Sequence, residues 1–153
     1  AERGRPPRRE IAYVPEGAVP HDIGKIGVPD AVLRKPAALD ADEMAIIRHH
    51  PRWGHDMIKD VPFLHDALPL VLHHHEKYDG SGYPTGLKGE AIPLEARIFA
   101  AVDAFDAMNS DRPYRKRLDR ATILAEFDRC AGSHFDPTVV VALKDVLAEE
   151  DAV

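Results

Sequence analysis

The stretch HHHEKYDGSGYPTG, residues 73–86, sets three consecutive histidines and a glutamate in front of a glycine-rich turn. Histidines at a helix end have two readings. Protonated, they suit the negative end of the helix dipole; neutral, they are the commonest ligands of transition metals. Ligand types recurring elsewhere in the chain decide between them. His21-Asp22 offers an imidazole beside two carboxylate oxygens, and a carboxylate can bridge two cations where an imidazole cannot. His50 closes the segment before Pro51, and Asp103 interrupts a mostly apolar stretch, where a buried carboxylate needs a partner such as a metal ion to compensate its desolvation. Taken singly, each residue reads as a cap or a hydrogen-bonding group of an ordinary fold. Together, His21, His50, His74, His75, Asp22 and Asp103 form an N/O ligand set suited to divalent iron, manganese or a similar ion rather than to a thiolate zinc site.

The elements that must hold these residues read as helices. LDADEMAIIRHH opens with Asp40 as N-cap and Glu43 at the capping-box position, and Pro51 predicts a cut or kink just after His50. In PLEARIFAAVDAFDAMNS, Leu94, Ile98, Ala101, Val102, Phe105 and Met108 recur at spacings of three and four, which predicts one buried face. Asp119 caps a helix with Leu124, Phe127 and Ala131 inward and Gly132 as its stop. Asp136 caps the last helix, with Pro137 in its first turn and Val140, Leu143 and Leu147 on one face. No segment alternates with period two for long enough to form a strand, so the expected class is all-α.

Composition narrows the function. A chain of 153 residues fits one domain with a proper core, and a formal charge of −6 argues against general nucleic-acid binding, so any phosphate contact is local. The single cysteine, Cys130, excludes an intramolecular disulfide and fits a reducing compartment. With no signal peptide and no apolar run long enough to span or insert into a bilayer, the expected location is the cytoplasm. Residues 1–18, with four arginines, three prolines and no apolar periodicity, read as an irregular arm or linker, which leaves 19–153 as the folded domain.

In order, HDIGKIGVPD (21–30), HPRWG (50–54), HHEKYDGSGYP (74–84), AVDAFDAMNSDRPYR (101–115) and GSHFDP (132–137) resemble the motifs of HD-GYP domains, bacterial phosphodiesterases of cyclic di-GMP within the HD superfamily. The resemblance implies an HD-type helical bundle and hydrolysis of cyclic di-GMP to pGpG or GMP. It also implies two or more divalent metal ions, iron or manganese. His21 and Asp22 match the metal-binding pair, with Asp22 bridging two ions; His50, His74 and His75 match the remaining ligands of one ion, and Asp103 a ligand of the other. Lys25 matches a lysine near the scissile phosphate, and Arg112 and Arg115 match basic residues that hold the ligand's phosphates. Gly82-Tyr83-Pro84 is the signature loop beside the metals, where substrate or a partner such as a regulatory or diguanylate cyclase domain is met.

The chemistry is coherent on its own terms. Two ions sharing Asp22 would supply hydroxide at neutral pH, and Lys25 would meet charge building on an attacked phosphodiester. Arg112 and Arg115 would be neighbours if that stretch were helical. The resemblance also implies earlier helices carrying Glu and His ligands spaced by a turn, yet no histidine precedes His21. The domain is therefore expected to be N-terminally incomplete, with one metal site short of ligands and slow hydrolysis by this chain alone. The alternatives are a non-catalytic module that binds cyclic di-GMP or a regulatory domain, and an HD phosphohydrolase of another nucleotide.

Overall fold

The computed structural model describes residues 21–113 and 115–150, so the arm read over 1–18 lies outside the described residues. Helices dominate. A 3-10 turn, Ile23–Gly27, leads into α1 (Asp30–Leu33), α2 (Ala41–Ile47) and α3 (His50–Ile58). A second 3-10 turn, Pro62–Ala67, feeds α4 (Leu68–His73), and a third, Gly89–Ala91, precedes α5 (Leu94–Asn109), α6 (Arg120–Cys130) and α7 (Pro137–Glu150). Among the described residues there is no strand, only isolated bridges at Arg112–Arg115 and Ala131–Phe135. The class is all-α.

Local chemistry sets most boundaries. Asp40 Oδ1 accepts from the Glu43 N–H at 2.9 Å, and Glu43 Oε2 accepts from the Asp40 N–H at 2.9 Å, a complete capping box for α2. The helix stops at Ile47, earlier than Pro51 alone would place the break. His50 therefore opens α3 instead of closing α2, and Pro51 sits in the first turn of α3, where its missing N–H leaves no hydrogen bond unmade. Asp119 Oδ1 accepts from the Thr122 N–H to start α6, and Gly132, at φ +83°, takes the left-handed conformation just beyond its end.

Two regions meet along α5. On one side, Ile98 and Ala101 pack with Ile123, Phe127 and Cys130 of α6 and with Val139, Val140, Leu143 and Leu147 of α7. Leu94, Val102, Phe105 and Met108 line the same core, as their spacing predicts. In α6 the buried stripe is Ile123, Phe127 and Cys130, one residue back from Leu124 and Ala131, which are partly buried. A buried Arg97–Asp136 ion pair ties α5 to the cap of α7, where Asp136 Oδ1 also accepts from the Thr138 N–H and hydroxyl at 2.7 Å each. On the other side, α3 packs on the Ile23–Gly27 turn and on α4, and α4 packs on α5. The histidines lie in this second region.

Candidate metal centre

Two glycines bring the first ligand pair to the second. A Cβ on Gly24 would stand 1.8 Å from the His50 carbonyl oxygen and 2.5 Å from the Gly54 nitrogen, so only glycine lets the Ile23–Gly27 turn cross α3 this closely. Asp22, two residues earlier, is thereby set against His50, the first residue of α3. His74 caps the end of α4, and His75 follows it. Ligand atoms of Asp22, His50, His74 and His75 all lie within 4.8 Å of one another.

The imidazoles are oriented for a cation. His50 Nδ1–H donates to the Ile47 carbonyl at 2.7 Å, and His74 Nδ1–H donates to the Val71 carbonyl at 2.9 Å. Each ring is thus held in the tautomer whose Nε2 carries a lone pair. Those two Nε2 atoms face each other at 3.3 Å. Neither has a proton to share, so the contact is repulsive unless a cation stands between them. Two nitrogens bound to one ion at about 2.1 Å would be about 3.0–3.4 Å apart at bond angles of 90–109°. The residues fit a divalent metal ion. Burial, followed by repulsion from a neighbouring imidazole, lowers His74 to a pKa of about 3 and His75 to about 4, which keeps both neutral and able to ligate.

Asp22 faces two ways. Oδ1 lies 3.4 Å from His50 Nε2 and 3.9 Å from His74 Nε2. Oδ2 lies 3.4 Å from His21 Nε2 and 2.7 Å from Lys25 Nζ. Burial opposes the charge of Asp22, but the donors of His21 and Lys25 outweigh it and hold the carboxyl below the usual carboxylate range. His21 lies outside the four-residue cluster, and its ring stands 4.7 Å from that of Phe99 on α5. Asp103, one helical turn beyond Phe99 on the same face, is exposed, not buried as the apolar run around it suggests. That run packs through Ile98, Ala101 and Phe105, and Phe99 is buried as well, with its ring against those of His21 and His74.

The glycine-rich loop folds back onto the histidines. A Cβ on Gly82 would meet the Lys77 nitrogen at 2.3 Å and the His75 carbonyl oxygen at 2.5 Å. The Tyr83 ring stacks on the His75 ring, 4.8 Å between centroids and 18° between planes, and the Tyr83 N–H donates to the His75 carbonyl. Pro84 follows through a cis peptide. Sequence reasoning missed the residue that organises this loop. Glu76, fully buried, accepts the N–H groups of Thr85, Gly86 and Leu87 at 2.8–3.1 Å. The available signal was a carboxylate next to a turn rich in unpaired N–H donors. His73, the first of the run, turns toward Glu76 and away from the cluster. Behind the loop, the Tyr78 and Asp79 N–H groups donate to the His134 and Ser133 carbonyls at 3.1 and 2.8 Å.

Arg112 and Arg115 are exposed and not helical neighbours. They pair through their backbones, N to O at 2.7 and 3.1 Å, and Arg115 Nη2 donates to the Ala107 carbonyl near the end of α5. Arg115 is thus engaged with the fold, and Arg112 is exposed beside it. Lys25 is half-exposed beside Asp22.

A helical bundle that closes a His–Asp pair against histidines of two further segments defines an HD-type domain. The chain belongs to the HD domain family, whose profile matches residues 7–139. It is 46% identical over 136 residues to a cyclic di-GMP phosphodiesterase response regulator of Xanthomonas campestris, a match that covers 88% of this chain and 36% of that protein. It is 39% identical over 125 residues to 3'3'-cGAMP-specific phosphodiesterase 2 of Vibrio cholerae, covering 80% of this chain and 24% of that one. The chain therefore spans about a third or less of these relatives' length. In structure it resembles an HDG"Y"P protein of Bdellovibrio bacteriovorus, with a TM-score of 0.64 at 18% identity over 88% of this chain and 43% of that one, which shows the fold. Among the described residues no helix is long and apolar enough to cross a membrane.

Proposed function

We propose that the protein is a metal-dependent phosphodiesterase that hydrolyses cyclic di-GMP to pGpG or GMP in the bacterial cytoplasm. The observation that carries this reading is the two-way carboxylate of Asp22: one oxygen is turned to the His50–His74–His75 cluster and the other to His21 and Lys25. A carboxylate so placed suits bridging two cations, and the name of the relative sharing 46% identity supports the substrate. Iron or manganese suits the N/O donor set. When bound, such ions supply a nucleophile from water at neutral pH and positive charge opposite the phosphate.

The protein's own residues do the rest. Asp22, His50, His74 and His75 hold one ion, and His21, Asp22 and Asp103 contribute to the second. Lys25, already 2.7 Å from the shared carboxylate, stands where its ammonium can meet charge developing on the scissile phosphate. Arg112 offers an exposed side chain to a phosphate, with Arg115 beside it. Gly82, Tyr83 and Pro84 form the wall next to His75 against which substrate, or a diguanylate cyclase or other regulatory domain, would lie.

Asp22→Ala is expected to abolish both metal content and hydrolysis. Lys25→Ala is expected to keep the metal and lower kcat by about 10²-fold, the scale of one lost transition-state charge contact. Metal analysis with product chromatography reads both. An Asp22→Ala protein that retains metal and activity overturns the site, and a metal-loaded wild type that binds cyclic di-GMP without hydrolysis shows a binding module instead. The likeness to a 3'3'-cGAMP-specific enzyme favours that dinucleotide as the second substrate to assay.

A further inference from the structure

Behind the His75–Tyr83 stack stands a third group. The guanidinium carbon of Arg48 lies 5.4 Å from the centroid of the Tyr83 ring, so His75, Tyr83 and Arg48 make a sequence of contacts leading outward from the metal cluster. Arg48 is the exposed C-cap residue of α2. Among the described residues its guanidinium has no carboxylate partner and no hydrogen-bond acceptor. A cation at a helix C-terminus often serves the dipole alone. Here the side chain instead lies over an aromatic ring belonging to the loop beside the site.

That placement has a chemical consequence. A guanidinium over a ring face is held by the ring's quadrupole and spends none of its five N–H donors on the contact. Its fork remains free for a planar pair of acceptors. The two spacings put the fork no more than about 10 Å from the His75 ring, within reach of a dinucleotide bound beside it.

We propose that Arg48 is a substrate-binding residue that takes a pair of acceptor atoms on the dinucleotide away from the scissile phosphate. Two sources present that pair, the O6/N7 edge of a guanine and the oxygens of the second phosphate. The proposal rests on the phosphodiesterase reading above.

The test measures the affinity of manganese-loaded wild type, Arg48→Ala and Arg48→Lys for cyclic di-GMP, 3'3'-cGAMP and cyclic di-AMP by calorimetry, with manganese content and Tm recorded on the same samples. Arg48→Ala is expected to bind cyclic di-GMP about tenfold or more weakly, with metal content and Tm unchanged, and Arg48→Lys to recover part of the loss because an ammonium lacks the fork. Contact with guanine makes the loss shrink from cyclic di-GMP through 3'3'-cGAMP to cyclic di-AMP; contact with phosphate makes it equal for all three. Unchanged affinities in Arg48→Ala overturn the proposal, as does a loss of manganese or Tm, which would reduce Arg48 to a support for Tyr83. Failure of the wild type itself to bind any of the three refutes the phosphodiesterase reading and this proposal with it.

Discussion

Gly24→Ala tests whether the crossing of the Ile23–Gly27 turn over α3 sets the metal ligands. The new methyl would start 1.8 Å from the His50 carbonyl oxygen, and Cβ atoms do not approach such neighbours closer than 3.0 Å, so the turn must retreat by about 1.2 Å. The obstacles are backbone atoms within α3, and no rotamer change relieves them. Asp22 travels with the turn. Metal–ligand distances tolerate only about 0.2 Å, so Asp22 and His50 can no longer serve one ion. Overpacking of this kind costs about 1–3 kcal/mol, or roughly 3–10 °C in Tm for a domain of this size. Manganese affinity, read by calorimetry, is expected to fall by at least about 10²-fold, beyond the loss of an outer-shell contact. Gly89→Ala is the comparison: its Cβ meets nothing within 4 Å, and at φ +59° it carries backbone strain of about 1 kcal/mol without touching the site. If Gly24→Ala binds manganese like wild type, the close crossing does not determine the centre.

Glu76→Ala removes a buried carboxylate that accepts from three part-buried N–H groups, and is expected to cost about 2–3 kcal/mol in urea denaturation and to weaken manganese binding as Tyr83 leaves His75; a loss under about 1 kcal/mol would contradict its role as organiser of the loop. For pH, the folded-state pKa values of His74 (about 3) and His75 (about 4) lie below the unfolded value of 6.5, so the unfolded chain takes up protons first on acidification. The metal-free protein should therefore have this stability in full above about pH 6.5 and lose it toward pH 4, by about 1.4 kcal/mol per pH unit for each histidine once only the unfolded form is protonated. Urea midpoints that stay flat between pH 7 and 4.5 would show that these imidazoles are not buried neutral.

What the sequence makes legible is what acts locally. The Asp40–Glu43 box, the Asp119 and Asp136 caps and the Gly132 stop each involve residues within a few positions, and each appears where its residues stand. The core face of α5 follows from periodicity for the same reason. Asp103 shows the limit: apolar neighbours in sequence suggested burial, but a helix packing on two sides leaves a third open. The site was legible as a set of ligand types, and the HD and histidine motifs do converge. Its supports were not. Glu76 binds backbone about ten positions away, Gly24 is required by α3, and Arg48 reaches Tyr83 from another helix. None of these leaves a periodic trace.

The hydrogen bonds from Tyr78 and Asp79 to the corner between α6 and α7 also order the events of folding. All four clustered ligands lie between positions 22 and 75, but the segment that anchors the loop behind His75 comes about 55 residues later. Closing a loop of that length costs about 3.5 kcal/mol in chain entropy, returned only as α5, α6 and α7 pack together. A nascent chain therefore carries all four clustered ligands well before it has a backbone able to fix their spacing. The geometry that selects an ion belongs to the finished fold, and ions captured earlier by the bare histidine run would be held without it.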